Sequence, residues 1–227
     1  MISYDELTIP QATQMQKKLA AHINLQPYNK TPRTIAGADI SFNKSSPTVY
    51  AGVVVLSFPD LKLLSYSLAV TETTFPYVSG YLAFREMPAI TKAWDQLRVK
   101  PDLLVFDGQG VLHPRRLGIA THFGILTDQP TIGCAKTMLY GDYNNPELEK
   151  FSTSPIYAKA ELSGYALRTK MAVKPVFVSP GHLTDPQSAL DIMMQCVGRY
   201  RIPEPTRIAH AMVNRFRTGE LVEGFYE

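Results

Sequence analysis

Two cysteines in 227 residues are too few for a disulfide framework or a thiolate-rich zinc centre. Each of them, Cys134 and Cys196, lies inside an apolar segment, as expected of buried thiols in a reducing, cytoplasmic setting. No apolar run approaches the length of a membrane span, and "MISYDELTIPQATQMQKKLA" lacks the basic-then-apolar layout of a secretory leader. Internal repeats, low-complexity tracts and long linkers are absent. So are HExxH, GxSxG and Walker A motifs, which removes three familiar routes to hydrolytic chemistry. Neither sign of charge dominates: a formal net charge of +3 permits a nucleic-acid partner without requiring one. What remains is a chain that is 45% hydrophobic and long enough to bury a substantial core, which fits a single α/β domain over residues 1–227.

The hydrophobic pattern predicts a helix over 9–23, then β-like runs at Thr34–Phe42, Val49–Phe58 and Leu63–Thr73. "NKSSPT" and "PDLK" separate these runs, and connections of that length and composition make an antiparallel three-stranded meander. Afterwards strands and helices alternate: helix 80–97, strand 103–107, helix 115–126, strand 131–136, strand 176–179, helix 186–200 and helix 206–217. Such alternation implies a sheet that continues in parallel with helices on its faces. Section 141–170 reads as irregular, with a short strand near Tyr165–Arg168. In helix 186–200, Ala189, Ile192, Met193, Cys196, Val197 and Tyr200 share one face, behind an Asp185 N-cap and Pro186. That stripe reads as core.

Three carboxylates fall where apolar residues are expected. In "TIAGADISF" Asp39 shares one strand face with Ile35, Gly37 and Ser41; it faces water if the strand is an edge, and needs a partner if the strand is central. Glu86 joins Leu82, Ala89, Ile90, Ala93 and Leu97 on a helical stripe, unless Pro88 makes the helix begin near Met87. Asp107 ends "LLVF", a run typical of buried parallel strands, whose carboxyl ends open onto ligand-binding crevices. It either caps a turn or faces a ligand. Gly108 and Gly110 follow, but His113 occupies the third glycine position of a dinucleotide fingerprint. His210 flanks the stripe Ala209, Met212, Val213 and Phe216, where a histidine is ordinarily structural. Taken together, hard oxygen donors with one imidazole suit Mg²⁺ or Mn²⁺, and a carboxylate metal site suits phosphodiester displacement.

Five blocks, "AGADISF", "PYVSGYLAFREMPAI", "DGQGVLHPRRLGIATHFG", "TIGCAKTMLYG", and "SPGHLTDPQSAL" with "YRIPEPTRIAHA", occur in an order that resembles the endonuclease V family over residues 10–215. The resemblance implies a ribonuclease-H-like mixed sheet flanked by helices, with the meander leading into parallel strands. It also implies hydrolysis of the second phosphodiester bond 3′ to deoxyinosine, leaving 3′-hydroxyl and 5′-phosphate, in a repair reaction that uses Mg²⁺ and accepts Mn²⁺. By resemblance, Asp39 and Asp107 are the principal metal ligands, Glu86 and His210 complete or orient the site, and Lys136 stands near the attacked phosphate. "PYVS" (Pro76, Tyr77, Val78, Ser79) matches the family wedge, with Tyr77 filling the space of the extruded base and Ser79 where a second proline is usual. The pocket is built from backbone at Gly80, Gly108, Gly110 and Gly133, with Leu82 and Ile119 lining it. His113 closes it or contacts the sugar–phosphate. Arg115 and Arg116 pair with phosphates or simply begin a solvated helix. The implied partner is deoxyinosine-containing DNA, single- or double-stranded, bound by a monomer. Inosine-containing RNA as substrate, and a non-catalytic nucleic-acid-binding module, are the alternatives.

Overall fold

The computed structural model describes residues 4–43 and 46–227; Lys44 and Ser45, inside the expected "NKSSPT" connection, lie outside the described residues. The runs rich in β-branched and aromatic residues pair as a meander: β1 (Thr34–Phe42) with β2 (Thr48–Ser57), and β2 with β3 (Leu63–Glu72), both antiparallel. The apolar run β4 (Leu103–Phe106) then lies parallel to β1, and β5 (Thr131–Ala135) parallel to β4. β1 is therefore central. Asp39, opposite Gly52 of β2, is only 8% exposed, so a solvent-facing edge position is excluded.

Beyond β5 the expectation of a parallel continuation fails. β8 (Val176–His182) runs antiparallel to β5, and a hairpin of β6 (Thr153–Ala158) and β7 (Glu161–Leu167) extends the sheet from it. Parallel neighbours need a crossover, usually helical, and the chain between β5 and β8 contains none among the described residues. β6 escaped the sequence reading because its buried alternate positions are Ser154, Ile156 and Ala158, a weak apolar signal, with Pro155 among them. Proline in a strand belongs at an edge, and β6 is one edge. β9 (Gly224–Tyr226) forms the other, giving the order β6-β7-β8-β5-β4-β1-β2-β3-β9.

Helices cover both faces. Thr8 opens α1 (Ile9–Ala20) with a capping box: its N–H donates to Gln11 Oε1 at 2.8 Å, and the Gln11 N–H returns to Thr8 Oγ1 at 3.4 Å. α2 (Leu82–Gln96) and α3 (Ile119–Thr127) pack with Ala36 and Ala38 in one apolar cluster, through Phe84, Met87, Ile90 and Phe123. Pro88 does not start α2. The helix runs through it, because Met87, Pro88, Ala89 and Ile90 are all buried and their packing outweighs the lost N–H bond. α3 begins at Ile119 rather than near Arg115, since residues 108–118 form turns in which Arg116 takes φ +59°.

On the opposite face α4 (Pro186–Gln195) is capped by Asp185, whose carboxylate accepts the Ser188 N–H at 2.7 Å. It ends five residues early, so Tyr200 leaves the expected stripe and lies half-exposed, stacked under Arg207 at 4.8 Å. α5 (Glu204–Arg217) crosses β1 and β2 beside it. The start of α5 comes so near β1 that a Cβ on Gly37 would stand 1.9 Å from the Pro205 carbonyl oxygen, and one on Gly52 would stand 2.6 Å from Val213. Gly37→Ala is expected to destabilise the protein by about 2–3 kcal/mol, because backbone rather than a flexible side chain must give way. Denaturant unfolding measures this, and a loss within experimental error would show that α5 docks elsewhere.

Candidate active site

Three parallel neighbours each deliver one polar side chain just past the stretch in which β1, β4 and β5 pair. Asp39 lies in β1, Asp107 follows β4, and Lys136 follows β5. The Asp107 N–H donates to the Ala38 carbonyl at 3.2 Å, which continues the parallel ladder and sets the two carboxylates side by side. Because α5 is seated on Gly37, its next turn carries His210 over Asp39, and Nδ1 lies 2.7 Å from Asp39 Oδ2. Donor atoms of Asp39, Asp107 and His210 all lie within 4.8 Å of one another. Lys136 forms an ion pair with Asp107. Glu86 is outside that close trio but lines the same cavity as Asp107 and Lys136.

The electrostatics are those of acids packed too closely for water to screen. Burial lifts the Asp39 carboxyl above its ordinary value; the His210 hydrogen bond opposes this and the Asp107 charge reinforces it. Glu86 is pushed up to about 8, chiefly by burial and further by Asp39 and Asp107. The Asp39 hydrogen bond raises His210, against its partial burial. Oxygen donors with one imidazole and surplus negative charge fit a hard divalent cation, whose charge would relieve their repulsion.

Two residues that the sequence reading passed over complete this set. Asn214 Nδ2 is 3.0 Å from His210 Nε2, and Ser41 Oγ donates to Asn214 Oδ1 at 3.1 Å. With the amide held that way, Nδ2–H donates to Nε2 and leaves the imidazole proton on Nδ1, facing Asp39. The signal was present: Asn214 is one helical turn after His210, and Ser41 is on the strand face of Asp39.

A cavity of about 370 Å³ adjoins the cluster, lined in part by Ser79, Gly80, Leu82, Glu86, Asp107, Gly108, His113, Ile119 and Lys136. Gly110 and Gly133 are not in its lining. A Cβ on Gly133 would stand 2.3 Å from Gly110 N and 2.7 Å from Gly108 O, so β5 and the turn after β4 meet backbone to backbone. Pro76, Tyr77 and Val78 lie outside the cavity, and Tyr77 is 63% exposed with its ring 5.6 Å from that of Phe42. Arg115 is engaged with Gln16 and the Gly80 carbonyl, and Arg116 pairs with Glu161 at 2.5 Å, so neither begins a helix.

Residues 17–211 match the family model described as Endonuclease V. The chain belongs to the endonuclease V family. It is 44% identical over 211 residues to the endonuclease V of Dictyoglomus turgidum, covering 93% of this chain and 92% of that protein. The crystal structure of the Streptomyces avermitilis endonuclease V superposes with a TM-score of 0.89 at 39% identity, covering 96% of each chain. A crystal structure of the Ciona intestinalis endonuclease V, in complex with a 24mer DNA containing an inosine followed by a ribo-adenosine, gives a TM-score of 0.81 at 25% identity, over 94% of this chain and 99% of that one. The protein is thus an endonuclease, and the mixed sheet described above is the fold of its family.

A carboxyl raised on folding binds its proton more tightly in the native state. The stability linked to Glu86 is therefore full below its unfolded value of 4.5 and declines as pH rises towards about 8. Asp39 and His210, also raised, act in the same direction. Metal-free protein is expected to melt at lower temperature at about pH 8.5 than at about pH 6, and Glu86→Gln to remove part of that slope. Calorimetry in EDTA tests it; a slope that Glu86→Gln leaves untouched would contradict the burial of this carboxyl.

Proposed function

We propose that the chain is a Mg²⁺-dependent repair endonuclease that recognises deoxyinosine and hydrolyses the second phosphodiester bond on its 3′ side, leaving 3′-hydroxyl and 5′-phosphate. The observation that carries this reading is that Glu86, Asp107 and Lys136 belong at once to the acidic site and to the wall of the cavity. A base held in the cavity places its own strand beside the acids. The family supports the reaction class, and the inosine-containing DNA held by the Ciona protein supports the substrate.

Asp39 and Asp107 would hold the ion, with His210 and Glu86 completing or orienting the set, and Mn²⁺ would fit the same donors. When bound, the ion supplies Lewis acidity at the scissile phosphate. Lys136, the cation at the end of β5, stabilises charge that develops on the phosphate oxygens. Tyr77 takes the space left when hypoxanthine leaves the stack, a base whose weak pairing lowers the cost of extrusion. In the cavity, main-chain groups of the glycine-rich walls read the flat edge of the base, and a close wall there rejects guanine through its 2-amino group. The whole chain acts as one catalytic domain and one monomer. Two buried free thiols, Cys134 and Cys196, support work in the reducing cytoplasm. Among the described residues no helix is long and apolar enough to cross a membrane.

End-labelled strands carrying one deoxyinosine, one inosine, or a deoxyinosine followed by a ribonucleotide test the reading, each with Mg²⁺ and with EDTA. A Mg²⁺-dependent cut at the second bond 3′ to deoxyinosine is expected. Cutting of the inosine-containing RNA alone would transfer the same site to an RNA substrate. Asp39→Ala and Asp107→Ala should each slow cleavage by about a thousand-fold, the rate equivalent of several kcal/mol of lost charge stabilisation. Their metal-free melting temperatures should not fall, because each removes like-charge repulsion. Full activity in either variant would remove the metal assignment.

A further inference from the structure

The loop that carries Tyr77 is fastened at both ends by the amino-terminal segment. Upstream, Asp5 Oδ1 accepts from Thr73 Oγ1 at 2.7 Å, from the Thr74 N–H at 2.7 Å and from the Phe75 N–H at 3.2 Å. Tyr4 anchors that segment in the core, its ring 5.0 Å from Phe84 and its hydroxyl 3.1 Å from His122 Nε2. Downstream, the Gly80 carbonyl meets three donors from two segments: Gln16 Nε2 at 2.9 Å from α1, and Arg115 Nη2 at 2.8 Å and His113 Nε2 at 3.0 Å from the turn before α3. A carbonyl oxygen has two lone pairs, so this one is saturated. His113 Nδ1 accepts the Arg115 N–H at 3.2 Å, which leaves the ring proton on Nε2, aimed at Gly80. Gln16 Oε1 accepts in turn from Arg115 Nε.

Gln16 is fully buried, and only Ala12 is buried with it in α1. A buried amide is costly unless its hydrogen bonds are made, so a helix whose inward face is glutamine is shaped by what that glutamine holds. Here it holds the end of the loop at Gly80, where φ is +80° and a Cβ would stand 3.0 Å from Arg115 Nη2. Between the two fastenings Tyr77 projects into solvent.

We propose that the amino-terminal segment is part of the lesion-reading apparatus, with Asp5 and Gln16 as positioning residues that hold the Tyr77 loop ready to enter the base stack. This rests on the wedge reading of Tyr77 given above. Neither residue touches the acidic site, so releasing the loop weakens productive binding and spares the chemical step.

The test is a pair of double-mutant cycles on duplex DNA with one deoxyinosine: Gln16→Met and Asp5→Ala, each alone and each with Tyr77→Ala. Each single change is expected to raise KM about ten-fold with kcat within about two-fold, as for a loop that must now order on binding. Neither should add to the defect of Tyr77→Ala, because all three act through one loop. Effects that multiply with that of Tyr77→Ala, or that fall on kcat, would overturn the positioning role and leave the wedge standing. A Tyr77→Ala protein with unchanged inosine preference would overturn the wedge itself and the proposal with it. Gln16→Glu, which keeps size and the acceptor for Arg115 but removes the donor to Gly80, replaces Gln16→Met if the latter does not fold.

Discussion

Helix α5 reaches β1 only because Gly37 has no side chain. The Pro205 carbonyl occupies the place where a Cβ would be, and everything on the helix beyond that contact is set by it. From there His210 stands over Asp39, Asn214 stands behind His210, and Val213 drops into the space that Gly52 leaves on β2. Each fully buried apolar side chain contributes roughly 1.5–3 kcal/mol, so Val213 and Phe216 fix the helix without help from the polar groups it presents. The site inherits its geometry from apolar packing. Its acids do not have to attract anything in order to be in place.

That independence matters because the acids oppose one another. Asp39, Glu86 and Asp107 share a poorly hydrated corner with Lys136 as their near cation and the His210 imidazole as a hydrogen-bond partner. Lys136 serves Asp107, and His210 serves Asp39 through a hydrogen bond whose direction Asn214 and Ser41 govern. Glu86 has only Arg85 opposing its upward shift, and that guanidinium is already donating to the Phe75 and Ser46 carbonyls. Without a further cation the corner keeps a proton, and a divalent ion is the partner that oxygen donors in such a place favour over a proton as pH rises.

Strand periodicity in "TIAGADISF" put Gly37, Asp39 and Ser41 on one face, and the structure agrees, but no local pattern says that the start of a helix at Pro205, far along the chain, presses on that glycine. The meander, β4, β5 and the helices were legible because their apolar patterns are strong. β6 was not, with serine and alanine at two of its inward positions and Pro155 in its path. Direction beyond β5 was invisible for another reason: it depends on how the chain returns, and the hairpin that returns it was the segment with the weakest signal. The acidic residues were legible one by one as misplaced charges. Asn214 and Ser41 stand at telling spacings from His210 and Asp39, but these count only once that pair is known to form the site, and Gln16 has no such marker.

The stretch from Asp107 to Ile119 joins these parts mechanically. Asp107 belongs to the acids, Gly108 and Ile119 to the cavity, and His113 to the Gly80 carbonyl beneath the Tyr77 loop. The turn within it is held by main-chain and side-chain bonds together: Gly110 N–H donates to Ser179 Oγ at 2.9 Å, Gly118 N–H to the Gly110 carbonyl at 3.0 Å, and Gln109 Nε2 to the Thr137 carbonyl at 2.8 Å, next to Lys136. A Cβ on Gly110 would stand 2.1 Å from the Pro180 carbonyl, so the turn has no room to slide against β8. The distance from the cavity to the acidic site is therefore set by strand register, which cannot drift without reversing every side chain of the strand.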